Sequence, residues 1–261
     1  MSKPFVTCRL MGGLGNQMFQ IAHVLAQAKK NNVDYILPNR SYTPLQGKQT
    51  LNYVNNIFSK LKFSNDIKVS KVVNSPKFSF TPYNELITNS IAFNGYYQSQ
   101  KNFYGYDDYI KSFFKPSEET IKKLISKYPL LSNDVTAIHV RRGDYLKFPD
   151  LHPVITKTYI DKGLEIINND NPIFVFTDDP TWCLENLSFK FKLIQEEDYM
   201  EMWIMSLCKD FVISSSSFSW WGSFLSSKNG IIVSPSQWFG PESKKKGYED
   251  NDIYRKNFIL L

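Results

Sequence analysis

The sequence predicts an α/β protein with two parallel-sheet units, on three observations. Apolar strand-like runs alternate with helical segments along the second half of the chain. Several of those runs contain no polar residue, as strands buried on both faces require. The chain also opens with a strand-like run, a glycine-rich turn, a helical segment and a second strand-like run, which is the βαβ order of a parallel sheet.

Taken in order, residues 5–10 read as the first strand. Residues 18–31 have helical composition, with Ile21, Ala22, Leu25 and Ala28 on the three-four spacing of one helix face. Residues 34–37 are the next strand. Residues 67–73 and 91–97 are candidate strands, and Pro116-Ser117 opens a helix over 118–127. The second half is more regular. It reads as strand 135–140, helix 157–169, strand 173–177, helix 180–187, helix 199–209, strand 211–213, helix 218–227 and strand 231–233. No internal repeat or low-complexity linker interrupts it. The turn-prone stretch 129–134 is the expected junction, giving an N-terminal unit over 1–132 and a C-terminal unit over 133–261. Open α/β sheets bind ligands outside the carboxyl ends of their strands, so the loops there hold the candidate residues.

Composition narrows the class. The 261 residues are 42% hydrophobic and 15% aromatic, enough to bury a core and too apolar for a disordered chain. A net charge of +6 is spread along the sequence, with one dense cluster at Lys244-Lys245-Lys246. That excess suits an anionic ligand or an anionic lipid surface without selecting either. Cys8, Cys183 and Cys208 are odd in number and far apart, which argues against a disulfide framework or a zinc site. No apolar run approaches the ~20 residues of a membrane span. The first residues lack a signal-peptide pattern. A cytoplasmic protein follows, with at most peripheral association with the inner face of the membrane.

Three motifs sit at expected strand ends. The turn Gly12-Gly13-Leu14-Gly15-Asn16-Gln17 lets the backbone approach a ligand, and Asn16 and Gln17 add amide donors and acceptors. Its spacing matches neither a dinucleotide fingerprint nor a Walker loop, and an ordinary tight turn explains it equally well. The segment His139-Val140-Arg141-Arg142-Gly143-Asp144-Tyr145 follows an apolar strand. Strand alternation sends His139 and Arg141 to one face and Arg142 to the other. Two readings are open: an anion site built on arginine, or a structural Arg–Asp pair. Ser214-Ser215-Ser216-Ser217-Phe218-Ser219-Trp220-Trp221-Gly222 opens a helix, where hydroxyls and unpaired N–H groups suit a phosphate. N-capping accounts for one serine, and the run of four exceeds it. Trp220 and Trp221 read as core or domain interface rather than ring-stacking groups.

Together these motifs resemble the α-1,2-fucosyltransferase family of glycosyltransferases. Gly95-Tyr96-Tyr97-Gln98-Ser99 and Met205-Ser206-Leu207-Cys208-Lys209 add to the resemblance, which runs from about residue 5 to about residue 240. It implies a GT-B type fold of two facing Rossmann-like domains with an interdomain cleft. It also implies inverting, metal-independent transfer of L-fucose from GDP-fucose to the 2-hydroxyl of a terminal β-galactoside. No cofactor is implied beyond that donor substrate; the partners are GDP-fucose and a galactose-terminated glycan, not nucleic acid.

The resemblance also implies roles. Arg141 would contact the β-phosphate and neutralise the departing GDP. His139 would hydrogen-bond a phosphate or the nucleoside, and Ser216, Ser217, Phe218 and Ser219 would grip the diphosphate. Gly13 and Gly15 would admit the donor closely, with Asn16 across the cleft near the fucose or phosphate. Glu201, with Asp198 as substitute, would read guanine. Asp178 and Asp179 would meet the ribose or brace a loop. Arg142 would pair with Asp144, leaving Asp144 and Asp150 as competing candidates for a general base. Asp250-Asn251-Asp252 reads as a turn rather than a metal motif, and His23, His139 and His152 lack ligand spacing. The rival readings are protein O-fucosylation, a non-catalytic sugar-nucleotide or glycan-binding protein with a decayed site, and a nucleic-acid-binding protein. The stretch 42–80, rich in Tyr and Asn, is expected to set the acceptor.

Overall fold

A computed structural model describes residues 3–42, 47–75, 77–80 and 82–261. The chain folds as two compact units. The first holds Met1–Lys115 and Tyr248–Tyr254, and the second Pro116–Gly247 and Arg255–Leu261. The junction therefore lies at 115/116 rather than 132/133, and the C-terminal segment is shared. The physical reason is packing. Tyr128 sets its ring 6.0 Å from Phe174 and donates its hydroxyl to Glu196, both in the second unit. Conversely, Asp252 pairs with Lys101 and accepts from the backbone N–H of Phe80, which ties the Asp250-Asn251-Asp252 turn to the first unit.

In the first unit, β1 (Phe5–Cys8) leads through a tight turn into α1 (Leu14–Asn31). There follow β2 (Asp34–Tyr35), β3 (Leu37–Pro38), β4 (Phe63–Ser64), β5 (Lys71–Asn74), β6 (Ile91–Asn94) and α2 (Asp107–Phe114). The main sheet has the order β2-β1-β6-β5, all parallel. The single strand expected over 34–37 is split, because β3 leaves this sheet to pair with β4. The strand expected over 67–73 lies instead at 71–74, on the sheet edge. Gly12 adopts φ +76, a left-handed turn that carries the chain from β1 into α1. Almost all of α1 is buried, and it ends where Asn32 turns left-handed at φ 52 beside Lys29 and Lys30 of the last turn.

The second unit opens with α3 (Glu118–Lys127), whose cap Ser117 accepts from the N–H of Thr120. Then come β7 (Thr136–Val140), α4 (Lys157–Ile167), β8 (Ile173–Thr177), α5 (Pro180–Asn186), β9 (Lys192–Ile194), α6 (Asp198–Ser206), β10 (Asp210–Val212), α7 (Ser217–Leu225), β11 (Ile232–Ser234), α8 (Pro241–Lys245) and β12 (Phe258–Leu260). Its six strands are parallel in the order β12-β11-β10-β7-β8-β9. Ile138 and Val140 pack on one face with Ile160, Ile167 and Cys183 from α4 and α5. His139 meets Phe218 of α7 on the other face. Both faces are thus covered, which is why these strands read as unbroken apolar runs. Trp220 and Trp221 are fully buried core residues.

His23 is buried in α1, stacked on Tyr97 at 3.9 Å and edge-on to Phe93 at 4.5 Å. Neither ring nitrogen has a hydrogen-bond partner among the described residues. Burial pushes its pKa down to about 3; Asn102 opposes the shift, though at no standard hydrogen-bonding geometry. The unfolded chain therefore takes up a proton near the ordinary value of 6.5 that the folded chain refuses until about 3. The stability His23 contributes is complete above the ordinary value and lost as pH falls between the two. At about pH 5 the loss is on the order of 2 kcal/mol. Urea unfolding at about pH 7.5 and about pH 5 measures it. His23→Phe, which keeps the ring stack, is expected to remove that share of the fall; an unchanged slope would contradict the assignment.

Candidate active site

Numbered along the chain, the second sheet has the strand order 3-2-1-4-5-6, so its winding reverses between β7 and β10. Loops leaving the carboxyl ends of those two strands diverge and open a crevice, the usual ligand position in a doubly wound sheet. Arg141 follows β7 at this point, and the serine run follows β10. One hydroxyl joins them: Ser214 Oγ donates to the carbonyl of His139 at 2.6 Å and accepts from the N–H of Arg141 at 3.0 Å.

The two arginines part as strand alternation requires. Arg141 points to the crevice, where Nη2 meets Asp144 Oδ1 at 2.6 Å and Nη1 meets Asp178 Oδ2 at 3.0 Å. The expected Arg142–Asp144 pair is corrected here. Arg142 Nε instead meets Asp179 Oδ2 at 3.1 Å, and its guanidinium lies 4.1 Å over the ring of Trp182. The reason is chain direction: the turn through Gly143 brings Asp144 back under Arg141, while Asp179 stands at the start of α5 on the opposite face. A Cβ at Gly143 would lie 2.5 Å from Asp178 Oδ2, so a side chain there would displace the carboxylate that meets Arg141. Asp178 also accepts from the N–H of Arg142 at 2.9 Å, so the loop-bracing reading of both aspartates describes the geometry.

The serine run divides its labour. Ser215 Oγ donates to the carbonyl of Pro153, and the Ser215 carbonyl accepts from the Tyr145 hydroxyl at 2.9 Å. Ser216 is the N-cap of α7 and takes the N–H of Phe218 at 3.3 Å. Ser219 is buried and donates to the carbonyls of Ser214 and Ser216. Ser216, Phe218 and Ser219 thus each make hydrogen bonds within the fold. The Ser217 hydroxyl and N–H have no partner among the described residues. The His139 ring lies 5.4 Å from Phe218, with Nδ1 buried and unpartnered. Burial, then the charge of Arg141, push its pKa down to about 3, so the ring is neutral.

Glu201 stands in the first turn of α6, where Oε1 accepts from the N–H of Glu196 at 3.1 Å. Asp150 is exposed in the loop after β7, and its carbonyl receives the N–H of Glu242. Among the described residues no three His, Cys, Asp or Glu side chains gather as a metal site. No helix among them is long and apolar enough to cross a membrane.

The first unit repeats the arrangement. Its winding reverses between β1 and β6, and Asn16 follows β1 at that point. Asn16 Oδ1 accepts from Gln98 Nε2 at 2.7 Å, a partner to which the sequence had assigned no role. Gly13 caps α1 and Gly15 is buried within its first turn. Gln17 is no ligand group: it is fully buried, donates to the carbonyls of Gly12 and Lys48, and accepts from Thr50. Gln20 likewise spans the turn, exchanging hydrogen bonds with both backbone groups of Met11. Part of the stretch expected to set the acceptor, residues 43–46 and 76, lies outside the described residues.

The chain is similar in sequence or architecture to known proteins. An α-1,2-colitosyltransferase of Escherichia coli is 31% identical, over 91% of this chain and 93% of its own length. A galactoside 2-α-L-fucosyltransferase of Caenorhabditis elegans is 25% identical, over 88% of this chain and 71% of its own. Among solved structures, the fucosyltransferase NodZ from Bradyrhizobium superposes with a TM-score of 0.54 at 14% identity, covering 87% of this chain and 94% of that one. The fold is accordingly the Rossmann-like GT-B type, and a nucleic-acid-binding protein is set aside. The model of Glycosyl transferase family 11 matches residues 2–261, so a chain with an arginine and a free helix start at its switch point belongs to that family of glycosyltransferases.

Proposed function

We propose that this enzyme transfers L-fucose from GDP-fucose to the 2-hydroxyl of a terminal β-galactoside, with inversion and without a metal ion. The observation that carries the reading is Arg141 at the switch point of the second sheet, beside the start of α7, in a chain of this family. Charge grows on the β-phosphate as the sugar departs, and a fixed cation there is worth more in the transition state than in the ground state. The guanidinium, with the Ser217 N–H and hydroxyl, supplies the stabilisation that a divalent cation gives elsewhere. Asn16 of the first unit is assigned to the sugar or phosphate. A galactose-terminated glycan as acceptor rests on the name of the nematode relative.

The colitosyl relative favours a second donor, because it is the more similar of the two relatives. Fucose and colitose are both 6-deoxy sugars that differ at one carbon, so a site for one is close to a site for the other. Assays with GDP-fucose and GDP-colitose against lactose, with linkage analysis of the product, decide the donor and test the 2-hydroxyl. Product from neither donor, across a panel of galactosides, would contradict the reading.

Arg141→Ala is expected to lower kcat by about 10²- to 10³-fold while thermal unfolding is unchanged. Arg142→Lys is expected to do the reverse: a lower Tm, since a planar stacked guanidinium is not replaced by an ammonium, with kcat within about twofold. Steady-state kinetics and calorimetry on the two variants separate these roles. Chelation with EDTA is expected to leave transfer unchanged; loss of activity restored by a divalent cation would overturn metal independence.

A further inference from the structure

The first unit carries a device at its switch point that the reaction outlined above does not account for. Gln98 follows β6, and Asn16 follows β1, its neighbour in the sheet. Gln98 is 7% exposed, and its Nε2 donates to Asn16 Oδ1 at 2.7 Å. Its own Oε1 is buried without a partner, so the donor end is the one the fold uses. The other end of the Asn16 amide lies over Gly12: a Cβ there would sit 2.4 Å from Asn16 Nδ2. Nδ2 has no hydrogen-bond partner among the described residues. The amide is thus oriented, with oxygen toward Gln98 and nitrogen left for something else.

The mount of Gln98 is costly. Tyr97, the residue before it, has φ +53, a left-handed conformation that a bulky side chain rarely adopts. Such residues persist where their surroundings over-determine them, and they cluster at functional sites. Here the ring of Tyr97 is stacked on His23, and Asn102 Nδ2 donates to the carbonyls of Tyr97 and Ser99 at 3.0 and 3.2 Å. A tight turn then returns the Ser99 N–H to the Tyr97 carbonyl at 2.7 Å. The backbone strain at Tyr97 directs Gln98 toward the carboxyl end of β1.

We propose that Gln98 is a positioning residue that fixes the Asn16 amide so that it presents N–H, not oxygen, to the bound substrate. Asn16 then donates to an oxygen of the donor or acceptor and takes no proton. The proposal rests on the glycosyl-transfer reading, which places Asn16 among the substrate-binding groups.

Asn16→Asp separates the two ends of the amide, because it keeps the acceptor for Gln98 and replaces N–H by oxygen. It is expected to lose kcat about ten- to hundredfold, as Asn16→Ala does, the scale of a hydrogen bond to a charged group. Gln98→Leu is expected to lower kcat with the KM for the donor unchanged, and the double variant Gln98→Leu/Asn16→Ala to be no worse than Asn16→Ala alone. Retained activity in Asn16→Asp, or losses that multiply in the double variant, would overturn it. A readout without turnover keeps the test independent of the reaction assigned. The Gln98 side-chain amide resonances are expected to shift in Asn16→Ala, a change at a partly exposed position. Unmoved resonances overturn the clasp even if the enzyme transfers sugar; shifted resonances with no transfer from any sugar nucleotide leave the clasp standing and sink the reading of function.

Discussion

Adjacent parallel strands at a switch point part company beyond their last shared hydrogen bonds, and backbone groups there must find partners elsewhere. Between β7 and β10 the Ser214 hydroxyl meets that need twice, donating to the His139 carbonyl and accepting from the Arg141 N–H. The direction in which Arg141 leaves its strand depends on this clasp. So does the start of α7, because Ser216 N–H turns back to the Ser214 carbonyl at 2.7 Å and Ser216 then caps the helix. The proposed phosphate site, a guanidinium beside helical N–H groups, is therefore set by a hydroxyl committed to the backbone.

The carboxylates around Arg141 have a physical logic of their own. A guanidinium at a sheet end with no anion bound is restrained by Asp144 and Asp178. They are not equivalent. Asp178 is 26% exposed and also holds a backbone N–H, whereas Asp144 is 59% exposed and makes the single contact. An exposed ion pair of this kind contributes about 0–1 kcal/mol. In the proposed reaction, exchanging Asp144 for a phosphate oxygen would cost little, while Asp178 would keep the guanidinium aimed. Arg142 is the opposite case. Its side chain is 15% exposed, paired with Asp179 and covered by Trp182, so it belongs to the fold of the β8–α5 turn.

Much of this was legible in the sequence, and the remainder was hidden for identifiable reasons. Helices α3, α4, α5 and α7 carry caps or apolar spacing that fix them to within a few residues. The central strands declare themselves because burial on both faces excludes polar residues. The edge strand β12 does not, since its exposed residues resemble loop, and the edge strand β5 was read with its bounds shifted. The partner of each arginine could not be read, because alternation gives the face of a side chain and not the carboxylate waiting on it. Gln17 looked like a ligand amide and is an internal clasp, a distinction made only by burial. The unit boundary was misplaced because Pro129 and its neighbours have turn composition, whereas the packing of Tyr128 onto Phe174 assigns that turn to the second unit.

Both sheets solve the switch-point problem with an uncharged clasp, Ser214 in one and Gln98 in the other, and this bears on acid–base chemistry. A clasped guanidinium and a clasped amide N–H are both donors, and neither accepts a proton at neutral pH. His139 is neutral but buried, with its unpartnered nitrogen sealed in the core. Asp144, the carboxylate closest in sequence to the arginines, is engaged by Arg141. A positioned base is worth about 10²–10⁴-fold, so a site without one must draw its rate from the other side of the reaction. In the proposed transfer that side is the leaving diphosphate, where Arg141 and the α7 N-terminus act together. The proton can then leave late, to solvent or to the exposed Asp150, without a base poised in advance. In the second unit the donors, Arg141 held by Asp178 and the start of α7 set by Ser216, are what the proposed mechanism led by the leaving group requires.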